Sequence, residues 1–131
     1  DPGFYVIQAD VKNNGSDAAS EAKTTMTYTL NVSSPPASGV SLSSDLASPQ
    51  VIGEVVTYTA LGSGGSGDYL YQFWVYHDGA WSREQAYSSD DTFAWDTQGY
   101  DPGFYVIQAD VKNNGSDAVS EAKIAKGFYL E

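Results

Sequence analysis

Apolar and polar residues alternate along most of this chain, with the period of two that is typical of β-strands with one buried face. In residues 53–63, "GEVVTYTALGS", Val56, Tyr58 and Ala60 share one face of a predicted strand. No stretch shows a sustained apolar period of 3.6 residues, which an amphipathic helix requires. The sequence therefore predicts an all-β protein.

Turn signals divide residues 39–131 into about seven predicted strands. "NNGSD" separates the last two of them, and the same letters separate two earlier strands at 4–12 and 18–32. An Asn-Gly pair between extended runs is a strong hairpin signal. About seven short strands with turn signals every 8–12 residues are typical of an antiparallel β-sandwich, so we expect that architecture, preceded by a β-hairpin.

The chain contains a long internal repeat. Residues 1–23 match residues 101–123 at every position except one, where Ala19 faces Val119. After residue 23 the match collapses. A period of 100 residues is too long for a solenoid unit and suits a tandem array of whole small domains. Because the identity includes positions expected to face solvent, we interpret it as a recent duplication.

The repeat predicts the domain organisation. Residues 39–131 form a complete module, residues 35–38 a proline-containing linker, and residues 1–34 a hairpin plus the start of that linker. A lone hairpin is marginal in water, so it must dock elsewhere. Its docking face alternates along the first strand, and we expect it to meet a copy of the module's earlier strands. That face comprises Tyr5, Ile7, Ala9 and Val11.

Two partners fit this docking face. One is a preceding module of the same protein. The other is a second copy of the chain, which would extend head-to-tail into a fibre because such a contact does not close. The module's own surface for this hairpin is already filled by residues 101–131, so we expect the main apolar contacts of residues 1–32 to lie outside residues 39–131.

Charge and composition exclude several partners. The chain has 17 acidic and 6 basic residues, for a net charge of -11. Nucleic acid and anionic membranes both need a basic face, so neither is expected as a partner. No apolar run is long enough to predict membrane insertion. The chain has no cysteine, which rules out a disulfide framework and a thiolate metal site.

One motif resembles a known structural device. "DPGFYVI", residues 101–107, resembles the tyrosine corner of immunoglobulin-like domains, with Asp101, Gly103 and Tyr105 as its defining positions. The resemblance implies that Ile107 takes the place of the second cysteine of such domains. It also implies that Ala60 replaces the first cysteine, so that an apolar contact stands in for the disulfide.

The wider pattern of residues 50–123 resembles a family. Its features are Y-x-F-x-V, D-G-x-W, F-x-W and P-G-x-Y-x-I. They are similar to the tyrosine-rich, triple-tyrosine immunoglobulin-like repeats of bacterial surface and sensor proteins. PKD-like modules share "GEVVTYTA" and are the alternative. Either resemblance implies a secreted or cell-surface structural or adhesive module rather than an enzyme.

Candidate catalytic and metal-binding residues all lie near predicted turns. His77 precedes "DGA", and Asp90 and Asp91 lie in "SSDDT". We interpret all three as solvated turn residues. No cofactor is predicted, although weak calcium binding stays open, because calcium prefers clustered carboxylate and carbonyl oxygens. Further carboxylates near turns are Asp68, Asp78, Asp96 and Asp101.

Aromatic residues give a further candidate interaction site. In residues 69–77 we expect Tyr71, Phe73 and Val75 to face the core. Trp74 and Tyr76 then face outward, with Trp81 nearby. Such a cluster can stack on a sugar ring, contact another protein or simply pack across strands. A glycan-binding module is therefore the alternative to a structural or adhesive one.

Overall fold

The computed structural model describes residues 3–30 and 33–131, which form antiparallel strands and turns without a helix. The chain divides into two compact units between Ser33 and Ser34. No helix within the described ranges is long and apolar enough to cross a membrane. The expected all-β class is confirmed. The strands are β1 (Gly3–Val11), β2 (Ala22–Leu30), β3 (Ala37–Ser44), β4 (Val55–Gly64), β5 (Tyr69–His77), β6 (Ala80–Ser88), β7 (Thr92–Asp96), β8 (Gly103–Asn113) and β9 (Ala122–Leu130).

The first unit is a two-stranded antiparallel sheet, which we call the N-terminal hairpin (residues 3–30). Its strands β1 and β2 pair from Gly3 opposite Leu30 to Val11 opposite Ala22. Gly15 in the connecting turn has a φ of 86°, a conformation that glycine adopts at little cost. Every residue of both strands is exposed.

The second unit, residues 34–131, is an antiparallel β-sandwich, which we call the module. One sheet has the order β3-β4-β7 and the other β6-β5-β8-β9. The expected sandwich of about seven strands is confirmed. Aromatic rings join the two sheets: Phe73 of β5 stacks on Phe93 of β7 at a centroid distance of 5.4 Å, and Phe128 of β9 meets Tyr58 of β4 at 6.4 Å.

Inward-facing residues of both sheets form one core. As expected, Tyr71, Phe73 and Val75 are buried on β5. On the neighbouring strand β8, Phe73 lies opposite Ala109 and Val75 lies opposite Ile107. The buried hydrophobic residues are Ala37, Leu42, Val56, Tyr58, Ala60, Tyr71, Phe73, Val75, Phe93, Trp95, Tyr105, Ile107, Ala109, Val111, Phe128 and Leu130.

Strand β3 begins at Ala37, two residues before the predicted module boundary at 39. The Ala37 side chain is buried, and its backbone N–H donates to Glu121 Oε1 at 3.2 Å. Just before it, the Pro35 carbonyl accepts a hydrogen bond from Asn113 Nδ2 at 2.7 Å. Residues 35–38, expected to be a linker, are therefore fastened to the closing hairpin of the module (β8–β9, residues 103–130).

Candidate functional site

Tyr105 lies at the start of β8 with its ring in the core. Its hydroxyl donates to the Asp101 carbonyl at 2.8 Å, four residues upstream. Burial, together with the nearby Asp101 carboxylate, raises the pKa of Tyr105. Gly103 has a φ of 153°, and a Cβ added there would lie 3.4 Å from the His77 ring. The bond from the Tyr105 hydroxyl to the backbone a few residues upstream is the kind of hydrogen bond that a tyrosine corner makes.

His77 packs against this corner. It is the last residue of β5 and is partly buried, whereas we expected an exposed turn residue. Its ring stacks on Tyr105 at a centroid distance of 4.0 Å and an interplanar angle of 17°. Nδ1 lies 3.0 Å from the Phe104 carbonyl oxygen, to which it can donate, and Nε2 lies 3.3 Å from Asp78 Oδ2. The imidazole thus braces β5 against β8.

The acidic residues considered as candidates for catalysis or metal binding make structural hydrogen bonds. The Asp90 carboxylate accepts hydrogen bonds from the backbone N–H and hydroxyl of Thr92, at 2.9 and 2.7 Å. These bonds lower the pKa of Asp90. Asp91 contributes its backbone carbonyl, which accepts the Ala60 N–H at 2.8 Å. Within residues 3–30 and 33–131, no group of three or more histidine or acidic side chains could hold a metal ion.

The predicted aromatic cluster lies on the outer face of the four-stranded sheet. Tyr76 of β5 lies opposite Trp81 of β6, with ring centroids 5.1 Å apart. Trp74 lies two pairs further along, opposite Arg83. Tyr76 and Trp81 therefore pack across the strands, and the Trp81 indole still keeps 46% of its surface exposed.

A groove of about 310 Å³ opens beside this cluster, and we call it the polar groove. At its base, Gln72 and Gln108 each donate from Nε2 to one oxygen of the Asp110 carboxylate, at 2.7 and 2.8 Å. Gln72 and Asp110 are only 4% and 5% exposed, although both face away from the core. The other lining residues are Trp74, Trp81, Val119 and Lys123.

The loop from 114 to 121 forms one wall of the polar groove. The Tyr87 hydroxyl donates to the Val119 carbonyl at 2.6 Å, and Lys112 Nζ lies 4.5 Å from the Tyr87 ring centre. Burial, aided by the negative charges of Asp110 and Glu121, raises the pKa of Tyr87 to about 12. These contacts hold Val119 at the rim, where it is 86% exposed.

Glu121 fastens the same loop to the start of the module. Its carboxylate accepts hydrogen bonds from the N–H of Asn113 at 2.6 Å, the hydroxyl of Ser116 at 3.1 Å and the N–H of Ala37 at 3.2 Å. These donors, the Asn113 N–H above all, lower the pKa of Glu121. In the N-terminal hairpin, Glu21 makes the equivalent bond to the Asn13 N–H at 3.0 Å.

The N-terminal hairpin repeats the closing hairpin in geometry as well as in sequence. Gly3 lies opposite Leu30 and Val11 opposite Ala22, and adding 100 to each number gives the pairs of β8 and β9. Ile7 is 60% exposed, whereas its counterpart Ile107 is fully buried. We call the repeated side the core face of the hairpin. It comprises Tyr5, Ile7, Ala9, Val11, Ala22, Thr24, Met26, Tyr28 and Leu30.

The sequence pattern pointed to Tyr105 as a core residue and to Tyr76 and Trp81 as outer-face residues, but it did not indicate the polar groove. Gln and Asp on an outward face are ordinarily solvated, and alternation alone does not separate a buried outer pair from an exposed one. The one available signal was the spacing Gln-x-Asp, present as Gln8 and Asp10 and again as Gln108 and Asp110.

Comparison with known proteins does not assign the chain to a family. No family model matches the chain, and no curated protein matches it.

Proposed function

We propose that this chain is part of a tandem array of immunoglobulin-like modules, with a structural or adhesive role outside the cell or at its surface. The observation that carries this proposal is the N-terminal hairpin. It has the register and the core face of a closing hairpin. A preceding module would supply the strands that this hairpin needs to pack against.

The free energy of burying apolar side chains favours a partner surface that covers the core face of the N-terminal hairpin. Fully burying a large aliphatic side chain such as Ile107 or Val111 is worth roughly 1.5–3 kcal/mol relative to exposure. A two-stranded sheet has no second layer to provide that burial for Ile7 or Val11. Strands equivalent to β3–β7 would provide it. A preceding module offers them in the same polypeptide, and a second copy of the chain offers them only if its own closing hairpin is displaced.

The second strand of the hairpin favours a partner that differs in detail from residues 34–100. Met26 takes the position of Lys126, and Thr24 that of Ile124. Lys126 is exposed in the module. An apolar Met26 at that position favours a preceding module whose surface extends further over this end of the sheet. Neighbouring modules of the array are thus expected to be similar rather than identical.

The immunoglobulin-like assignment is supported by the order of the strands and by the corner. A three-stranded sheet β3-β4-β7 facing a sheet β6-β5-β8-β9 corresponds to strands A-B-E and C′-C-F-G of such domains. The hydrogen bond from Tyr105 to Asp101 falls at the expected start of strand F. Both features support the resemblance to the triple-tyrosine repeats, which implies secretion or surface display.

A structural role also accounts for the residues that could otherwise serve catalysis. His77 is occupied by its stacking on Tyr105 and by the Phe104 carbonyl. Asp90 is occupied by Thr92. His77 thus holds two strands together and Asp90 holds a turn, and both roles suit a non-enzymatic module.

Intact mass and accessibility in the source cells test this proposal. An antibody against residues 34–131 should detect a protein much heavier than the 14.0 kDa of this chain. Protease added to intact cells should remove it. A species of about 14 kDa that stays protected inside the cells would contradict both the array and the surface location.

A further inference from the structure

The polar groove combines a flat apolar surface with an array of hydrogen-bonding groups. Trp81 is 46% exposed, and Trp74 of the neighbouring strand lines the same groove. At about 310 Å³, the groove is at the lower end of the roughly 300–1,000 Å³ usual for small-molecule sites. A small ring-shaped ligand is the size that fits.

The groove base has hydrogen-bonding capacity left over. An ionised carboxylate offers about four acceptor positions, and the two glutamine donors take one each at Asp110. Each glutamine keeps its own carbonyl oxygen and a second N–H. The Trp74 indole nitrogen is buried and has no hydrogen-bond partner among the described residues. Because buried polar groups are nearly always paired, these groups favour a ligand rich in donors and acceptors.

Charge limits the ligand to a neutral molecule. Asp110 supplies one negative charge, and its cross-strand neighbour Lys123 lines the same groove with one positive charge. Arg83 lies opposite Trp74. A cationic ligand would meet these two cations, and an anionic ligand would meet both Asp110 and the net charge of -11. A neutral polyol with an apolar ring face satisfies both conditions.

We propose that the polar groove binds a neutral saccharide. The Trp81 indole stacks on the sugar ring, while Asp110, Gln72 and Gln108 bind its hydroxyl groups. Asp110 keeps both glutamines in place before the ligand arrives, so little conformational entropy is lost on binding. The exposed Val119 borders the sugar on the side of the loop. This site does not depend on the array, and it goes beyond a purely structural role.

Half of the site is present a second time. In the N-terminal hairpin, Gln8 Nε2 donates to Asp10 Oδ1 at 2.8 Å, as Gln108 does to Asp110. Lys23 lies opposite Asp10, as Lys123 does opposite Asp110. If the proposed preceding module supplies equivalents of β5 and β6, it completes another groove. Several weak sites on one array would then bind a glycan surface with high avidity.

The three tryptophans allow a direct test on the full chain. Methyl glycosides of glucose, galactose, mannose and N-acetylglucosamine, with their β1,4-linked disaccharides, are titrated to about 10 mM, which covers roughly millimolar affinity. Indole N–H signals are followed by ¹⁵N NMR. We expect at least one sugar to shift the signals of Trp74 and Trp81 saturably. The Trp95 signal should stay in place because Trp95 lies in the core.

Two variants separate the groove from the rest of the sheet face. Trp81→Ala should weaken binding by about tenfold, as expected for loss of one aromatic contact, with an unshifted Trp95 signal showing that the fold is intact. Tyr129→Ala removes an exposed ring on β9 outside the groove and should leave the affinity unchanged. The proposal is overturned if no sugar gives a saturable shift, or if Trp81→Ala binds as tightly as the original chain. Neither result would bear on the proposed array.

Discussion

Tyr5 lies directly opposite Tyr28 in the N-terminal hairpin, in the register that joins Tyr105 to Phe128 in the module. In the module, this pair is buried between two sheets, and Phe128 meets Trp95 at a centroid distance of 5.7 Å. The first hairpin therefore repeats the part that the closing hairpin contributes to the packed core of the module. Its second strand kept the register although its sequence diverged, which indicates that the pairing itself was retained.

The corner hydrogen bond should contribute measurably to stability. Tyr105→Phe removes the hydroxyl that donates to the Asp101 carbonyl and leaves that acceptor without its partner. We expect a loss of about 1–3 kcal/mol in the free energy of unfolding, measured by urea denaturation. Tyr129→Phe is the matched control, because its ring is exposed on the outer face. Equal stability of the two variants would argue against the corner.

The Glu121 carboxylate should make the module sensitive to acid. Its pKa is lowered in the folded chain from an ordinary value of 4.5. A lowered folded-state pKa means that the stabilisation is present above pH 4.5 and is lost as the pH falls through the lower value. We expect Glu121→Gln to reduce the melting temperature at pH 7, and we expect this difference to shrink as the pH falls through the lowered pKa of Glu121.

Glu84→Gln is the control for this pH dependence. Glu84 is exposed on β6, away from the loop that Glu121 holds. Its variant should melt as the original chain does throughout the titration. A Glu121→Gln variant whose melting difference from the original chain stays constant as the pH is lowered until Glu121 is protonated would mean that the charge of Glu121 has no part in holding the loop.

Corresponding substitutions in the two hairpins should have unequal effects. Ile107→Asp places a carboxylate in the core and should unfold the module, because an unpaired buried charge is among the costliest changes. Ile7→Asp should change the unfolding of the module by less than about 0.5 kcal/mol, since we expect its contacts to lie elsewhere. Near-ultraviolet circular dichroism of the buried aromatic rings reports on the module. If Ile7→Asp proves as damaging as Ile107→Asp, the hairpin belongs to the core of its own module.

Alternation along the strands was sufficient to predict the sandwich, because its buried positions recur every second residue over long strands. The module boundary was less accurate. Ala37 belongs to β3 through its pairing with Gly64, and its N–H donates to Glu121, which is 84 residues away in the chain. His77 was misread for a similar reason, since its neighbours in sequence form a turn and its stacking partner Tyr105 comes from another strand. Contacts between distant residues leave no trace in local patterns.

The polar groove could not be predicted from the sequence for the same reason, because its residues come from segments that are distant in the chain. Its base joins Gln72 of β5 to Asp110 of β8, and its wall comes from the loop before β9. Each of these residues looks solvated in its own strand. Only the pairing of β5 with β8, which places Gln72 opposite Asp110, brings them together.

We expect the N-terminal hairpin to close a sandwich as residues 103–130 do. The most direct test of this expectation uses a ¹⁵N-labelled fragment of residues 34–100, which contains β3–β7 and lacks a closing hairpin. We expect this fragment to be unfolded alone and to fold on addition of one equivalent of the full chain, seen as a dispersed indole signal of Trp95. Ile7→Asp in the full chain should abolish this rescue. Val6→Asp, on the opposite face of β1, should preserve it.

The deciding control is a chain of residues 34–131, which has the closing hairpin but not the N-terminal one. We expect residues 34–131 to leave the labelled fragment unfolded and the full chain to fold it. If the fragment stays unfolded with the full chain, or if residues 34–131 rescue it equally well, the N-terminal hairpin is not a closing hairpin and the proposed array loses its basis.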